Sequence, residues 1–366
     1  MTRAAPGHVF MTTDAIGGVW TYAVDLAAGL AERGVRVTLA ALGPSPSDAQ
    51  RRQVSAVGAE LIDTALPLDW LEEDARRIDN AGAALTDLAN RSGADLVHLN
   101  SPIFAASGFT APVVGVCHSC LATWWAAMRG GEMPASFNER TERLRRGYEA
   151  CSALIAPSDA FAEATAAQYG VASVAVHNGR APRVPAPQSS ERPFALTAGR
   201  LWDPAKNLAA LDAAASMMRG TVEAAGPLEG PNGERAATSA VVSLGPLDSE
   251  DMARRLGEAG AFVSLALYEP FGLSVLEAAQ AGCALVLADI PTFRELWAGT
   301  ALFVDPRDPA AVAATLDGVL DDRSERERLG ALAEARAARF TLDAMTGGTL
   351  GVYAQALSRA LGQSAA

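Results

Sequence analysis

The chain has 366 residues, 49% of them hydrophobic and 20% charged, a balance that supports packed cores and excludes a largely disordered protein. A formal net charge of −12 and a pI near 4.9 repel nucleic acid and anionic membrane on average, so any anionic ligand must be met by local cations. At about 100–200 residues per domain, the length predicts two domains.

No basic start followed by an apolar run marks the N-terminus. No stretch approaches the roughly eighteen apolar residues of a membrane span, and the expected location is the cytoplasm. The next elements alternate. A strand at 9–11 leads to a glycine turn at Gly17-Gly18, an amphipathic helix over 22–33 ended by Gly34, and a strand over 35–41. Further short apolar runs at 96–99, 113–117 and 153–156 repeat the theme, which implies a parallel sheet with helices on both faces.

Four cysteines, Cys117, Cys120, Cys151 and Cys283, are too scattered for a secreted disulfide framework and read as thiols. Cys117-His118-Ser119-Cys120 has a C-x-x-C spacing, but no second close pair completes a tetrahedral metal set, and the run before it reads as a buried strand. The helix expected over 139–148 carries Arg140, Arg143, Arg145 and Arg146. Interspersed Glu139, Glu142 and Glu149 make it a solvated helix rather than a membrane-docking one.

Four prolines and two serines break all periodicity over 181–193, the best interdomain linker in the chain. Strands are then expected at 194–198, 221–225, 241–244, 261–267, 284–288 and 302–304, so the second half repeats the architecture of the first. A last helix is expected over 343–361. The expected divisions are a first domain over 1–183, a linker over 184–193, a second domain over 194–342 and a terminal segment over 343–366. Ligands of such sheets bind at the carboxyl ends of the strands, and two sheets facing each other would create a cleft.

The residues that carry chemistry lie in the second half. Lys206 is the one lysine among thirty cationic side chains, six residues after Arg200 in Gly199-Arg200-Leu201-Trp202-Asp203-Pro204-Ala205-Lys206. A compact ammonium with rotatable donors is not interchangeable with arginine. Downstream, Tyr268-Glu269-Pro270-Phe271-Gly272-Leu273-Ser274-Val275-Leu276-Glu277 follows a strand, turns at Pro270 and Gly272, and enters a helix. Unpaired N–H groups at Phe271, Gly272, Leu273 and Ser274 suit a phosphate. Glu277, a turn into that helix, can accept two hydrogen bonds from a vicinal diol such as a ribose. Glu269 can reach another hydroxylated group. Cations, acceptors and a helix start together match a nucleotide diphosphate sugar.

These features (Gly199-Arg200 with Lys206, the E-x7-E pair Glu269/Glu277 around Pro-Phe-Gly, the early Gly17-Gly18 and the two alternating halves) resemble the retaining glycosyltransferases of family 4, with the GT-B fold. The resemblance extends over nearly the whole chain. It implies an α/β protein of two Rossmann-like doubly wound domains facing across a cleft, and a terminal helix that returns to the first domain. It also implies that Glu277 binds the ribose, Glu269 approaches the donor sugar, and Arg200 and Lys206 hold the diphosphate. His118, just after a strand, stands where such enzymes place a histidine near the donor sugar, and His98 reads as structural or acceptor-side.

Gly18, with Gly17, would let backbone approach a substrate, and the loop holding Leu247 is expected at the donor. The implied reaction is front-face transfer to a hydroxyl acceptor, a saccharide or small molecule, with Arg200 and Lys206 stabilising the leaving diphosphate. No cofactor and no metal are expected, because no D-x-D pair sits in a plausible metal-binding loop. Two departures stand out: Leu265-Ala266 where Pro-Ser is usual, and Arg180 after Asn178-Gly179 where an apolar residue is usual, which could meet an anionic acceptor. A nucleotide-sugar epimerase or sugar phosphorylase shares the architecture, and a non-catalytic nucleotide-sugar-binding protein is the alternative of another class.

Overall fold

The computed structural model describes residues 5–182 and 193–364. All strand pairings between its named strands are parallel. The described residues divide into two compact units, one up to Gly179 together with those from Leu342 onward, the other from Arg180 to Thr341. Most of the expected linker, all of it but Pro193, lies outside the described residues.

The first unit contains β1 (His8–Asp14), β2 (Arg36–Leu42), β3 (Glu60–Asp63), β4 (Leu96–Leu99), β5 (Val113–Val116), β6 (Ala153–Ala156) and β7 (Val174–Ala175), in the sheet order β3-β2-β1-β4-β5-β6-β7. All seven residues of β1 are buried. A parallel strand covered on both faces reads as a near-continuous run rather than an alternation, which is why the short apolar segments were strand signals. Helix Gly18–Ala31 buries Trp20, Tyr22, Ala23, Leu26, Ala27 and Leu30 against this sheet. The final helix, Leu342–Ser364, contributes Met345, Val352, Tyr353 and Ala356 to the same core. Each large apolar side chain so buried contributes roughly 1.5–3 kcal/mol.

The second unit contains β8 (Ala195–Ala198), β9 (Val222–Ala225), β10 (Val242–Gly245), β11 (Ala261–Ser264), β12 (Ala284–Ala288) and β13 (Leu302–Val304), in the order β10-β9-β8-β11-β12-β13. Along β12, Leu285 and Leu287 join one core with Phe262, Phe293 and Trp297, while Ala284 and Val286 join another with Val263 and Leu316. The period of two thus feeds two apolar layers, one on each face. The strand expected over 261–267 pairs only to Ser264. Leu265 and Ala266 are still buried but have left the sheet, which frees the following residues to form a loop.

In each unit the strand order reverses once, between β1 and β4 and between β8 and β11. The crossovers on either side of such a reversal run in opposite directions, so the loops at the carboxyl ends of those two strands diverge and leave a crevice. Among the described residues, no helix is long and apolar enough to cross a membrane.

Candidate functional site

In the second unit the reversal brings together the loop after β8, residues 199–207, and the loop after β11, residues 265–272. Leu267 N–H donates to the Ala205 carbonyl at 2.8 Å, tying the two loops. Lys206 Nζ forms an ion pair with the Glu269 carboxylate, side chains that are 21% and 14% exposed. Two expected site residues separated by more than sixty positions are therefore in contact. Arg200, more exposed, donates to Asp203 Oδ2 at 3.1 Å and lies over the Trp202 ring, 5.5 Å from its centroid. The other Asp203 oxygen caps the short 3-10 turn Pro204–Lys206 by accepting from Ala205 N–H at 2.9 Å. Asp203, which no motif singled out, thus organises the loop that carries both cations.

The loop after β11 ends at Gly272, the N-cap of helix Leu273–Gln280, with φ of +91°. A side chain there would be strained, and its Cβ would stand 3.1 Å from Phe293 and 3.3 Å from Val275. The N–H groups of Leu273 and Ser274 have no hydrogen-bond partner among the described residues, as expected for a first helical turn. Phe271 differs from the expectation in one respect. Its side chain is core, edge-on to Phe340 at 5.7 Å, so only its backbone is available to a ligand.

Glu277 is the fifth residue of this helix, and its carboxylate forms an ion pair with the Arg180 guanidinium. Arg180 is held at its main chain as well: its N–H donates to the Phe340 carbonyl at 3.2 Å, and its own carbonyl accepts from Gln280 Nε2 at 3.1 Å. The structure therefore pairs Arg180 with a carboxylate of its own unit, where an anionic acceptor was the sequence expectation. Leu247 is half-buried in the loop between β10 and helix Ser249–Glu258. Beside it the carboxyl ends of β8, β9 and β10 meet in bare main chain. Gly199 N–H donates to Ala225, Gly226 N–H donates to Gly245, and a Cβ on Gly226 would lie 1.9 Å from the Gly199 carbonyl oxygen.

In the first unit, Gly17 has φ of +100° and caps helix Gly18–Ala31, so the expected glycine turn is itself the helix start. Both glycines are exposed. His118 lies two residues beyond β5 and is half-buried. Its Nε2 is 2.7 Å from Asn100 Oδ1, and the Tyr22 ring packs on it edge-on at 4.7 Å. His98, fully buried on β4, places Nε2 3.3 Å from the same Asn100 oxygen and Nδ1 2.8 Å from the Tyr353 hydroxyl. Burial lowers the pKa of His98 to about 4, against a weaker opposing effect of Asn100. Burial, with the nearby His98, lowers that of His118 to about 3. Both imidazoles are neutral at pH 7.

Asn100 and Tyr353 were not found by motif. The available signal for Asn100 was a polar residue directly beyond the carboxyl end of an apolar strand, at the reversal point of the sheet. Cys117 is buried and its thiol is pushed up to about 12 by burial, while Cys120 caps helix Leu121–Met128 by accepting from Thr123 N–H. The buried Cys117 is therefore a thiol. The arginines of helix Asn138–Ala150 pair with acidic neighbours, Arg143 with Asp79 at 2.5 Å and Arg145 with Glu142 at 2.6 Å.

Two family models match the chain. One described as Glycosyltransferase Family 4 covers residues 16–182 and one described as Glycosyl transferases group 1 covers residues 233–336. A stretch of 110 residues is 33% identical to the O-antigen chain mannosyltransferase B of Escherichia coli, covering 30% of this chain and 29% of that protein. A stretch of 101 residues is 41% identical to the glycogen synthase of Mycobacterium tuberculosis, covering 27% and 23%. The match thus spans less than a third of the length of each of these relatives. Among solved structures, the sucrose-phosphate synthase of Thermosynechococcus elongatus superimposes with a TM-score of 0.77 at 18% identity, over 96% of this chain and 99% of that one, a likeness of fold.

Proposed function

We propose a function from one premise: the chain belongs to glycosyltransferase family 4, with the GT-B fold. The protein moves a sugar from a nucleotide diphosphate sugar to a hydroxyl acceptor. The observation that carries this reading is the joined pair of loops at the β8/β11 reversal, where Lys206, Arg200, Glu269 and the open start of helix Leu273–Gln280 converge.

Lys206 and Arg200 take the diphosphate, aided by the N–H groups of Leu273 and Ser274. A phosphate competes with Glu269 for Lys206, which releases that carboxylate to a hydroxyl of the donor sugar. Glu277 accepts from the ribose, Gly272 lets the chain turn without a side chain in the way, and Leu247 and the Phe271 backbone border the donor. As the bond from the anomeric carbon to the diphosphate oxygen breaks, negative charge grows on the leaving oxygen and the sugar gains oxocarbenium character. Cations and N–H dipoles already in place stabilise that charge.

The acceptor hydroxyl adds on the same face and gives its proton to the departing diphosphate, so configuration is retained and no metal is needed. His118 accepts a hydrogen bond from a substrate hydroxyl, and the exposed backbone at Gly18 allows close approach of a ligand. The reading places the protein in the cytoplasm, where its four cysteines stay thiols.

The test is incubation of purified protein with UDP, GDP and ADP sugars, with and without hydroxyl acceptors and with and without a chelator. Acceptor-dependent release of the nucleoside diphosphate, unaffected by chelator, with a product of unchanged anomeric configuration by NMR, is the expected result. Interconversion of the donor in the absence of any acceptor sinks the transferase reading.

A further inference from the structure

Apart from His118, the buried polar chain of the first unit has no role in the reading above. It begins at Thr12 on β1. Asn100 is held there twice: its backbone N–H donates to Thr12 Oγ1 at 2.9 Å and its side-chain Nδ2 donates to the Thr12 carbonyl at 2.7 Å. A carbonyl oxygen only accepts, so the amide nitrogen must face Thr12 and Oδ1 must face away. That oxygen is the atom 2.7 Å from His118 Nε2 and 3.3 Å from His98 Nε2.

An amide oxygen cannot donate, so the proton in each of these bonds sits on the histidine. Two lone pairs on Oδ1 serve two imidazole N–H groups. At the far end, the Tyr353 hydroxyl donates to His98 Nδ1 at 2.8 Å, which is consistent with the proton of His98 lying on Nε2. His118 Nδ1 has no partner among the described residues.

We propose that Asn100 is a positioning residue that locks His118 in the tautomer protonated on Nε2, leaving Nδ1 as a bare lone pair that accepts only from a hydrogen-bond donor of the substrate. The proposal rests on the assignment of His118 to a substrate hydroxyl. It gives that histidine a chemical preference: a hydroxyl is taken, while a carboxylate or a keto oxygen at the same place meets a lone pair and is refused. Neutrality supports the lock, since an imidazolium would put a proton on Nδ1 and abolish the acceptor. The Tyr22 ring, edge-on to His118 at an interplanar angle of 77°, holds the plane of the imidazole.

The test reads the tautomer directly. Long-range proton–nitrogen NMR of the full-length protein, labelled in its histidine rings and free of any ligand, is recorded for the wild type, Asn100→Leu and Tyr353→Phe. A solvated histidine exchanges between both tautomers. The wild type is expected to show His118 solely as the Nε2–H form. Asn100→Leu, which keeps the backbone bond to Thr12 and removes the acceptor, is expected to show both forms and to lower sugar transfer by about 10–100-fold, the range for groups that orient a site residue by a hydrogen bond.

Tyr353→Phe is expected to shift the His98 Nδ1 resonance, which loses its donor, and to leave the His118 spectrum unchanged, because Thr12 still holds Asn100 and its Oδ1 still accepts from both rings. Should Asn100→Leu not fold, the wild-type and Tyr353→Phe spectra decide alone. A wild-type His118 with mixed tautomers or a proton on Nδ1, an unchanged spectrum in Asn100→Leu, or equal disturbance of both histidines by Tyr353→Phe overturns the proposal. These spectra require no donor and no turnover. Full transfer activity in His118→Ala would therefore remove the role of His118 while leaving the lock standing.

Discussion

The two units handle polar groups in opposite ways. At the β8/β11 reversal the side chains are charged and each cation leans on a carboxylate: Lys206 on Glu269, Arg180 on Glu277, Arg200 on Asp203. At the corresponding end of the first sheet the groups are neutral and linked through Asn100 into one chain. An ion pair that is partly solvated contributes little to stability and exchanges partners readily. A buried neutral network fixes geometry, because each donor or acceptor left unmatched costs about 1–3 kcal/mol. One unit is thus arranged to give up its contacts to an anionic ligand and the other to keep them.

The largest effect that tests this contrast is on turnover. Lys206→Ala is expected to lower kcat by about 10²–10³-fold, as for loss of one preorganised donor to a developing negative charge, with a much smaller change in the urea midpoint. Lys206→Arg should not restore the point contact, and near-full activity in it would reduce the lone lysine to an accident of composition.

Next comes acid sensitivity in the first unit. The folded pKa of His98, about 4, is below its unfolded value of 6.5, so the unfolded chain binds the proton first. Stability from this group is complete above pH 6.5 and is lost as pH falls through 4, about 3 kcal/mol in all, with His118 acting in the same sense. Urea titrations from pH 7 to 4 on the wild type and on His98→Gln measure it, and equal slopes in the two would break the contrast.

Glu277→Gln is expected to raise the KM for donor about 10–100-fold, the value of a hydrogen bond to a charged group, with kcat less affected. Gly272→Ala should destabilise the protein by roughly 1–2 kcal/mol from its positive φ, read by urea unfolding. Smallest of all, Arg145→Ala on the exposed face of helix Asn138–Ala150 should stay within about 0.5 kcal/mol and leave transfer unchanged.

Much of the fold was visible in the chain because parallel strands buried on both faces are short, apolar and bounded by polar turns. The strands at 96–99, 153–156, 284–288 and 302–304 were placed at the bounds the structure has. The edge strands of the first sheet were not. Glu60–Asp63 is partly exposed and polar, and Val174–Ala175 has two residues, so neither offers a period to detect. Helix Ala75–Ser92 was also passed over, since its composition, with three arginines and few large apolar residues, hides the buried stripe of Ile78, Ala81, Gly82 and Leu85.

For the candidate site, local spacing and the family resemblance singled out Lys206, Glu269 and Glu277. It could not reveal that Arg180 meets Glu277, 97 positions away, nor that Tyr353 reaches His98 across 255. Such pairs are products of topology, not of pattern.

That last bond has a consequence in time. Synthesis proceeds from the N-terminus, so His98 leaves the ribosome long before Tyr353, and the whole second unit is made in between. Until the final helix arrives, the first sheet lacks Met345, Val352, Tyr353 and Ala356 from its core, and His98 Nδ1 lacks its donor. The second unit, by contrast, is encoded without interruption and can close its own core as it emerges. A chain cut short within that helix would therefore carry a finished set of charges and an unfinished set of histidines, and the first unit would record whether translation had passed through the helix.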